Sequence, residues 1–262
     1  MLDPRSPSST AETTALMRAV SCLEDDHDGA DTLARLFLPE DMRAKLDNGA
    51  WREAVKERAG GIYPYIVART RYFDRVFAEC LSVGQVVLLG AGYDTRAYRF
   101  AERVREAGAR VFELDAAPTQ ERKRAILAAN GIDAGETQFV PMDFEHGAPL
   151  LGCIALLDGS SVAFIWEGVT LYLSPDAFER TLTAVRETSA YGVIAFDYLN
   201  VNPAEWNAKV TRKDEQLRFG MGMDAMEEYM RSMGFGVVEN LGGLGGKETM
   251  SVIRAEWGVV YS

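Results

Sequence analysis

The sequence predicts an α/β protein built on a doubly wound, mostly parallel sheet that ends in an antiparallel hairpin. The first observation is an apolar run over residues 85–89 that stops at a glycine turn, residues 90–92, and is followed by helical spacing over residues 95–107. A buried strand, a glycine turn and a helix form the first unit of such a sheet. The second observation is that the last two predicted strands, residues 235–239 and 250–255, are joined by a link without room for a crossover helix. Those two strands are therefore expected to pair antiparallel.

Three further strands are predicted to end in acidic residues. They are residues 110–115, ending at Asp115, residues 137–144, ending in Asp143 and Phe144, and residues 161–168, ending in Glu167 and Gly168. A fifth strand follows over residues 191–199. Because ligands of doubly wound sheets bind beyond the carboxyl ends of the strands, these acids are expected to share one crevice with the glycine turn.

Composition excludes several classes of partner. Among 262 residues, 39 are Asp or Glu and 28 are Lys or Arg, which gives a formal net charge of -11. This charge repels a phosphate backbone, and we find no basic stripe with interleaved aromatic residues, so nucleic acid is not expected as a partner. The three cysteines show no CxxC spacing and the acidic run at residues 24–28 is interpreted as a solvated loop, so no metal site is predicted. Without a leader or a membrane-spanning apolar run, we expect a cytoplasmic protein that does not bind membranes.

The glycine turn and the acids indicate a nucleotide site. Asp115 comes 25 residues after Gly90, a distance that places its carboxylate beside the turn, where it can accept both hydroxyls of a ribose. Glu113 lies on the same face of its strand and is the alternative. Asp143 and Phe144 suit an adenine, whose amine donates to a carboxylate and whose ring packs on apolar surface.

We predict one domain over residues 15–262, preceded by a disordered tail over residues 1–14 that is rich in Ser, Thr and Pro. The domain comprises an N-terminal helical cap (15–81), a cofactor-binding core (82–198), an insertion or lid over the site (199–223), and a C-terminal helix and hairpin (224–262).

Arg69 lies beside the apolar face of a predicted helix over residues 62–81. An arginine in such a place requires a partner. Two interpretations stay open, since its guanidinium can pair with Asp74 or Glu79, or it can bind an anionic group of a ligand.

Five motifs in order give the sequence a family resemblance. They are residues 68–74 (ARTRYFD), 88–96 (LLGAGYDTR), 112–115 (FELD), 143–144 (DF) and 166–173 (WEGVTLYL). The chain resembles the S-adenosylmethionine-dependent methyltransferases of the leucine carboxyl methyltransferase family, in particular its bacterial small-molecule O-methyltransferases, over residues 30–255.

The resemblance implies S-adenosyl-L-methionine as cofactor and a role for each motif. Arg69 would hold the cofactor's methionine carboxylate, with Arg71 as the rival. The other cofactor-binding residues that the resemblance implies are Gly90, Ala91, Gly92 and Asp94 for methionine and ribose, Asp115 for the ribose hydroxyls, Asp143 and Phe144 for adenine, and Glu167 for the amino group.

The predicted acceptor is a carboxylate on a small, largely apolar molecule, because a carboxylate is ionised at pH 7 and needs no general base. A phenol or alcohol would need one, and His146 is then the candidate catalytic residue. Candidate contacts to the acceptor are Tyr172, Tyr198, Trp206 and Phe219, with Arg71, Arg212 or Arg218 as the counter-ion.

Two other classes remain as alternatives. A nicotinamide-dependent reductase would share the glycine turn and Asp115, but we find no hydride-site pattern and such a sheet does not normally end in a hairpin. A non-catalytic protein that kept cofactor binding would look nearly identical. The oligomeric state is left open between monomer and homodimer. The acceptor is expected to come from secondary metabolism.

Overall fold

A computed structural model describes residues 9–24, 30–145, 161–208 and 216–258 of the chain. Its strands form a seven-stranded sheet in the order β3-β2-β1-β4-β5-β7-β6. The strands are β1 (Gln85–Leu89), β2 (Arg110–Asp115), β3 (Gln138–Pro141), β4 (Val162–Trp166), β5 (Gly192–Leu199), β6 (Gly236–Gly242) and β7 (Met250–Trp257). The prediction of a mostly parallel sheet is confirmed.

Helices cover both faces of the sheet and precede its first strand. They are α1 (Ser9–Glu24), α2 (Glu40–Arg43), α3 (Gly49–Ala59), α4 (Ile62–Cys80), α5 (Arg96–Arg99), α6 (Ala101–Ala107), α7 (Ala117–Ala129), α8 (Pro175–Arg186), α9 (Pro203–Asn207) and α10 (Met223–Ser232). The predicted helix over residues 95–107 is divided at Phe100, which is the C-cap of α5 and the N-cap of α6.

Strand β1 is buried along its whole length, as its apolar run predicts. Because side chains alternate across a strand, Val86 and Leu88 enter one core with α1 and α4, whereas Val87 and Leu89 enter the other with α8 and α10. β1 pairs in parallel with β2 on one side and with β4 on the other. The strand order reverses between β1 and β4, since β2 and β3 lie on one side of β1 and the later strands lie on the other. Such a switch point opens a crevice at the carboxyl ends of the strands.

The C-terminal hairpin is antiparallel, as predicted. β7 pairs with β5 from Gly192 opposite Trp257 to Leu199 opposite Met250, and β6 pairs with the outer side of β7. The last strand in sequence therefore lies inside the sheet, and the strand before it forms the edge.

The prediction of a disordered tail is wrong from Ser9 onward, because helix α1 begins there. Ala15 and Val20 on this helix are completely buried. Ala11 lies over the glycine turn. A β-carbon added at Gly92 would lie 3.4 Å from the Cβ of Ala11. Residues 1–8 lie outside the described part of the chain. Ala11 thus lies close to the turn, a contact that the spacing of apolar residues does not reveal.

None of the helices in the described residues combines the length and the apolar character needed to cross a bilayer. No group of three or more His, Cys, Asp or Glu side chains within the same residues is arranged to hold a metal ion.

Candidate functional site

The glycine turn lies where β1 ends, and its shape depends on glycine. Gly90 has φ +65° and a β-carbon there would lie 2.3 Å from Cγ2 of Val169. The Gly92 N–H donates to Asp115 Oδ2 at 2.5 Å, and Ala91 N donates to the Leu114 carbonyl at 3.0 Å. Residues other than glycine rarely adopt such a φ, and at Gly90 a side chain would also collide with Val169. The turn is thereby fixed against the end of β2.

Asp115 lies beside the glycine turn, where the sequence placed it. Its second oxygen accepts from the Ala116 N–H at 2.6 Å. Burial holds the pKa of Asp115 above its ordinary value, against the opposing effect of the two amides. Glu113, the alternative, is fully buried between Lys123 Nζ at 2.6 Å and the Tyr98 hydroxyl at 2.8 Å. Its carboxylate is already used inside the protein, so Asp115 is the acid that the turn presents.

Arg69 is 5% exposed and reaches the ends of β4 and β5 from helix α4. Its Nε donates to Glu167 at 2.9 Å and its Nη1 donates to Asp197 at 2.9 Å. The interpretation that Arg69 pairs with Asp74 or Glu79 is therefore wrong. The guanidinium belongs to the crevice, as the ligand-binding interpretation requires.

Arg96, which the sequence analysis left without a role, is the most connected cation of the site. It is completely buried and forms ion pairs with Asp74 at 2.7 Å, Asp94 at 2.6 Å and Glu167 at 2.7 Å. Its backbone N–H also donates to Asp94 Oδ1 at 2.8 Å. One cation therefore bridges three carboxylates, which come from α4, from the residues after the glycine turn and from the end of β4.

Alternating charges continue from Arg96 toward helix α1. Arg99 pairs with Asp74 at 2.8 Å and with Asp31 at 3.5 Å, and Arg18 pairs with the same Asp31 at 3.3 Å. Arg18 then donates to the Tyr93 carbonyl of the glycine turn at 2.7 Å. Tyr93 directly precedes Asp94, a partner of Arg96, so the network links α1 to the residues that follow Gly92.

Two acids of this network, Asp94 and Glu167, have pKa values below their ordinary values. Burial alone would raise the pKa of Asp94, but Arg96 and other cations outweigh it and bring that pKa to about 2. For Glu167, burial is likewise outweighed by Arg96 and Arg69, which hold its pKa below the ordinary value. Ionised carboxylates at the strand ends suit a ligand that carries positive charge.

Asp143 and Phe144 follow β3 on the other side of Asp115. The two sites are adjacent because Met142 N donates to the Asp115 carbonyl at 2.9 Å. Asp143 Oδ1 accepts from the Glu145 N–H at 2.9 Å, and the Phe144 ring stacks on Trp166 with centroids 6.0 Å apart. A half-buried aromatic ring beside a carboxylate is the arrangement predicted for an adenine.

The predicted acceptor contacts divide into two groups. Tyr172 and Trp206 are half-buried and pack against an apolar cluster that contains Tyr65. By contrast, Tyr198 is completely buried with its hydroxyl on Asn240 Oδ1 at 2.7 Å, and Phe219 stacks on Phe178 with centroids 4.0 Å apart. The core accounts for both of these rings, and their predicted role in acceptor binding has no support in the structure.

Two of the three predicted counter-ions, Arg71 and Arg218, lie within the described residues. Arg71 is exposed, and it lies about 200° around α4 from Arg69, since each residue turns a helix by about 100°. Arg218 pairs with Glu145 at 2.7 Å and is one-third exposed. Arg212 and His146 lie outside the described residues, as does His27.

Asp197 was also missed by the sequence analysis. It is completely buried within β5, where it opposes Val252 of β7. Only one sequence signal marks it, an acid inside the apolar run of residues 192–199. A buried charge in such a run requires partners from elsewhere in the fold.

Comparison with known proteins assigns the family. A family model described as leucine carboxyl methyltransferase matches residues 11–186. The chain belongs to the leucine carboxyl methyltransferase family. This match includes α1, the glycine turn, Asp115 and Glu167, and it confirms the resemblance on which the site residues were chosen.

Curated proteins from mycobacteria are similar in sequence to this chain. A relative from Mycolicibacterium vanbaalenii is 34% identical over 158 residues, which are 56% of this chain and 51% of the relative. One from Mycobacterium avium is 32% identical over 160 residues, 60% of this chain and 52% of the relative. Both are provisionally named S-adenosyl-L-methionine-dependent methyltransferases. The matched segment spans about half the length of these curated relatives.

Solved structures of methyltransferases share the fold of this family member. A methyltransferase from Thermobifida fusca, provisionally named, superposes with a TM-score of 0.62 at 18% identity over 98% of this chain and 97% of the other. Magnesium protoporphyrin IX methyltransferase from Synechocystis superposes with a TM-score of 0.51 at 12% identity over 84% of this chain and 100% of the other. At these identities the likeness shows the Rossmann-like class I methyltransferase fold.

Proposed function

We propose that the protein is an S-adenosyl-L-methionine-dependent O-methyltransferase that converts a carboxylate of a small, largely apolar molecule to a methyl ester. The observation that carries this proposal is the arrangement of the glycine turn, Asp115, Glu167 and Arg69 at the ends of adjacent strands. Family membership supports the same activity.

The residues present fit this cofactor. The ribose hydroxyls would donate to Asp115, whose carboxylate Gly92 already orients, and the adenine would lie against Phe144 with its amine toward Asp143. Gly90 and Gly92 keep the turn in its shape, because a β-carbon at Gly90 would collide with Val169 and one at Gly92 would crowd Ala11.

The methionine part of the cofactor carries an ammonium, a sulfonium and a carboxylate. Glu167 would attract the ammonium, since burial raises its pKa but Arg96 and Arg69 outweigh this effect and hold the pKa below its ordinary value. Arg69 would bind the carboxylate. Glu167 occupies its Nε and Asp197 its Nη1, which leaves Nη2 as the nitrogen that can donate to a further anion.

The cofactor, when bound, supplies an electrophilic methyl group. The protein has to hold the acceptor oxygen in line with that group and exclude water. Tyr172 and Trp206 border the apolar cluster with Tyr65, and Tyr65 in turn touches Asp197 beside Arg69. This cluster would pack on the apolar part of the acceptor and direct its carboxylate toward the methyl group.

A carboxylate acceptor agrees with the family's description as carboxyl methyltransferases. Such an acceptor is ionised at neutral pH, so no protein base has to remove a proton. The reaction then depends on alignment and desolvation, both of which the described residues can supply.

Labelled methyl transfer tests the function directly. The purified chain is incubated with S-adenosyl-L-methionine carrying a labelled methyl group and a panel of apolar carboxylic acids, each paired with the corresponding alcohol and phenol. Alkali-labile label on the acids is the expected result. Label on the hydroxyl compounds alone would replace the methyl ester with an ether, and thermal stabilisation by NAD instead of S-adenosyl-L-methionine would replace the cofactor.

A further inference from the structure

Asp197 has a place in the site that neither the cofactor nor the acceptor explains. Its Oδ2 accepts from Arg69 Nη1 at 2.9 Å and from the Tyr65 hydroxyl at 2.8 Å, and its Oδ1 accepts from the Gly168 N–H at 2.6 Å. Three donors from helix α4 and from the turn after β4 thus converge on one carboxylate that is completely buried. A buried carboxylate is tolerated only when its oxygens are satisfied in this way.

These contacts restrain the Arg69 guanidinium on several sides. Glu167 holds Nε and Asp197 holds Nη1. Gly168 lies against the guanidinium, because a β-carbon there would come within 3.2 Å of both terminal nitrogens. The Tyr65 ring lies 5.4 Å from the guanidinium carbon. The orientation of the remaining nitrogen, Nη2, is therefore set by groups that do not themselves need to touch the cofactor.

We infer that Asp197, supported by Tyr65, is a positioning residue that aligns Arg69 with the carboxylate of the cofactor. This inference rests on the proposed function, in which Arg69 binds that carboxylate. Asp197 also fixes the peptide of Gly168, so the same carboxylate sets Arg69 and the residue after Glu167 relative to each other.

Two ligands that differ in one group separate positioning from general stability. S-adenosyl-L-methionine and its decarboxylated analogue share the adenosine, the sulfonium and the amine, and only the first carries the carboxylate. Their dissociation constants are measured by titration calorimetry for the wild-type chain and for Asp197→Asn. Asp197→Asn should raise the dissociation constant of S-adenosyl-L-methionine about tenfold, which is the lower range for a misaligned charge-assisted hydrogen bond. The dissociation constant of the analogue should stay unchanged.

Tyr65→Phe provides a second variant that keeps the ring beneath Arg69. It removes one donor to Asp197, so it should weaken S-adenosyl-L-methionine about threefold without affecting the analogue, a smaller effect than that of the charged partner. Tyr72→Phe is the matched control, because Tyr72 lies on the same helix and its hydroxyl donates to Glu239 at the same 2.8 Å. The control should bind both ligands as the wild type does.

Several outcomes would overturn the inference. Equal weakening of both ligands in folded Asp197→Asn and Tyr65→Phe would mean a structural role alone, and tighter binding of S-adenosyl-L-methionine would mean that Asp197 competes with the cofactor carboxylate. If Asp197→Asn lacks a cooperative urea transition, Tyr65→Phe decides. Arg69→Gln should abolish the preference for the carboxylate. If the wild-type chain binds neither ligand, the proposed function and this inference are both wrong. If Arg69→Gln still prefers S-adenosyl-L-methionine over the decarboxylated analogue, only the assignment of Arg69 and the inference built on it are wrong.

Discussion

Arg96 and Glu167 form an ion pair of 2.7 Å in which the arginine side chain is completely buried and the glutamate side chain is 9% exposed. The pair joins helix α5, which follows the glycine turn, to the residue at which β4 ends. Because Arg96 also binds Asp74 and Asp94, the relative positions of three elements around the crevice depend on one guanidinium.

Arg96→Gln should destabilise the protein by about 3–5 kcal/mol, since it leaves three carboxylates near one another without their shared cation. Urea denaturation followed by circular dichroism measures the effect. Arg105→Gln is the control, because Arg105 is 76% exposed and its ion pair, with Glu102, lies within its own helix. A loss in Arg96→Gln no larger than in the control would show that the buried network contributes little.

Asp115→Asn should weaken S-adenosyl-L-methionine by about 1.5–3 kcal/mol, the value of a hydrogen bond to a charged group. Titration calorimetry gives the affinity. Asp133→Asn serves as the control, because Asp133 is exposed and its carboxylate also accepts from a glycine N–H, that of Gly135 at 2.8 Å. If Asp115→Asn folds and binds as tightly as the wild type, the ribose role has to be given to another residue.

Asp94 should make stability depend on pH in the acidic range. Its pKa falls from 3.8 to about 2 on folding, so the unfolded chain binds more protons between these values and stability decreases as the pH falls. This difference corresponds to about 2.4 kcal/mol when complete, of which about 1 kcal/mol is lost between pH 5 and pH 3. The unfolding free energies of the wild type and Asp94→Asn should therefore converge by about 1 kcal/mol over that interval. A constant difference between them would contradict the low pKa.

Gly90→Ala should cost more stability than the φ angle alone explains. Gly131 has φ +67°, close to the +65° of Gly90, but a β-carbon at Gly131 meets no atom within 4 Å, whereas one at Gly90 meets Val169. Gly131→Ala should cost about 1–2 kcal/mol for the left-handed backbone. Gly90→Ala should cost about 1–3 kcal/mol more, because the new methyl group overpacks the turn. Equal losses in thermal or urea unfolding would mean that Val169 moves aside freely.

The rate of methyl transfer to a carboxylate should be nearly constant between about pH 6 and pH 9, since a free carboxylic acid ionises near pH 4. Asp94 and Glu167 do not alter this expectation, because the pKa of Asp94 is about 2 and that of Glu167 is held below its ordinary value. Initial rates at saturating cofactor provide the profile. A rate that rises across the interval and collapses in His146→Ala would indicate a deprotonated hydroxyl acceptor.

The sequence predicted the strands, the turn and the positions of Asp115 and Glu167, because these depend on local features. An apolar run, a pair of glycines and the spacing between strands are all visible within about 30 residues, the length of a βαβ unit. Asp115 could be placed beside Gly92 for this reason.

Arg96 and Asp197 could not be assigned in the same way, because their surroundings come from distant parts of the chain. Arg96 begins a helix, where a charged residue ordinarily faces solvent, and its partners Asp74 and Glu167 come from α4 and from the end of β4, which meet only in the folded chain. Arg69 shows the same limit. Its position beside an apolar face was visible, but its partners Glu167 and Asp197 could be identified only from the packing of α4 on the sheet.

The order β5-β7-β6 has a consequence for the time at which the protein can fold during synthesis. β5 pairs with β7, and β7 is synthesised after β6. The last described strand therefore has to insert between β5 and β6, which are both synthesised before it. Until residues 250–257 have left the ribosome, Phe196 lacks its partner Ile253 and one side of β5 is unpaired. The sheet around the site is therefore expected to close only after translation of this strand, and ribosome-bound chains that end before Met250 should remain sensitive to protease.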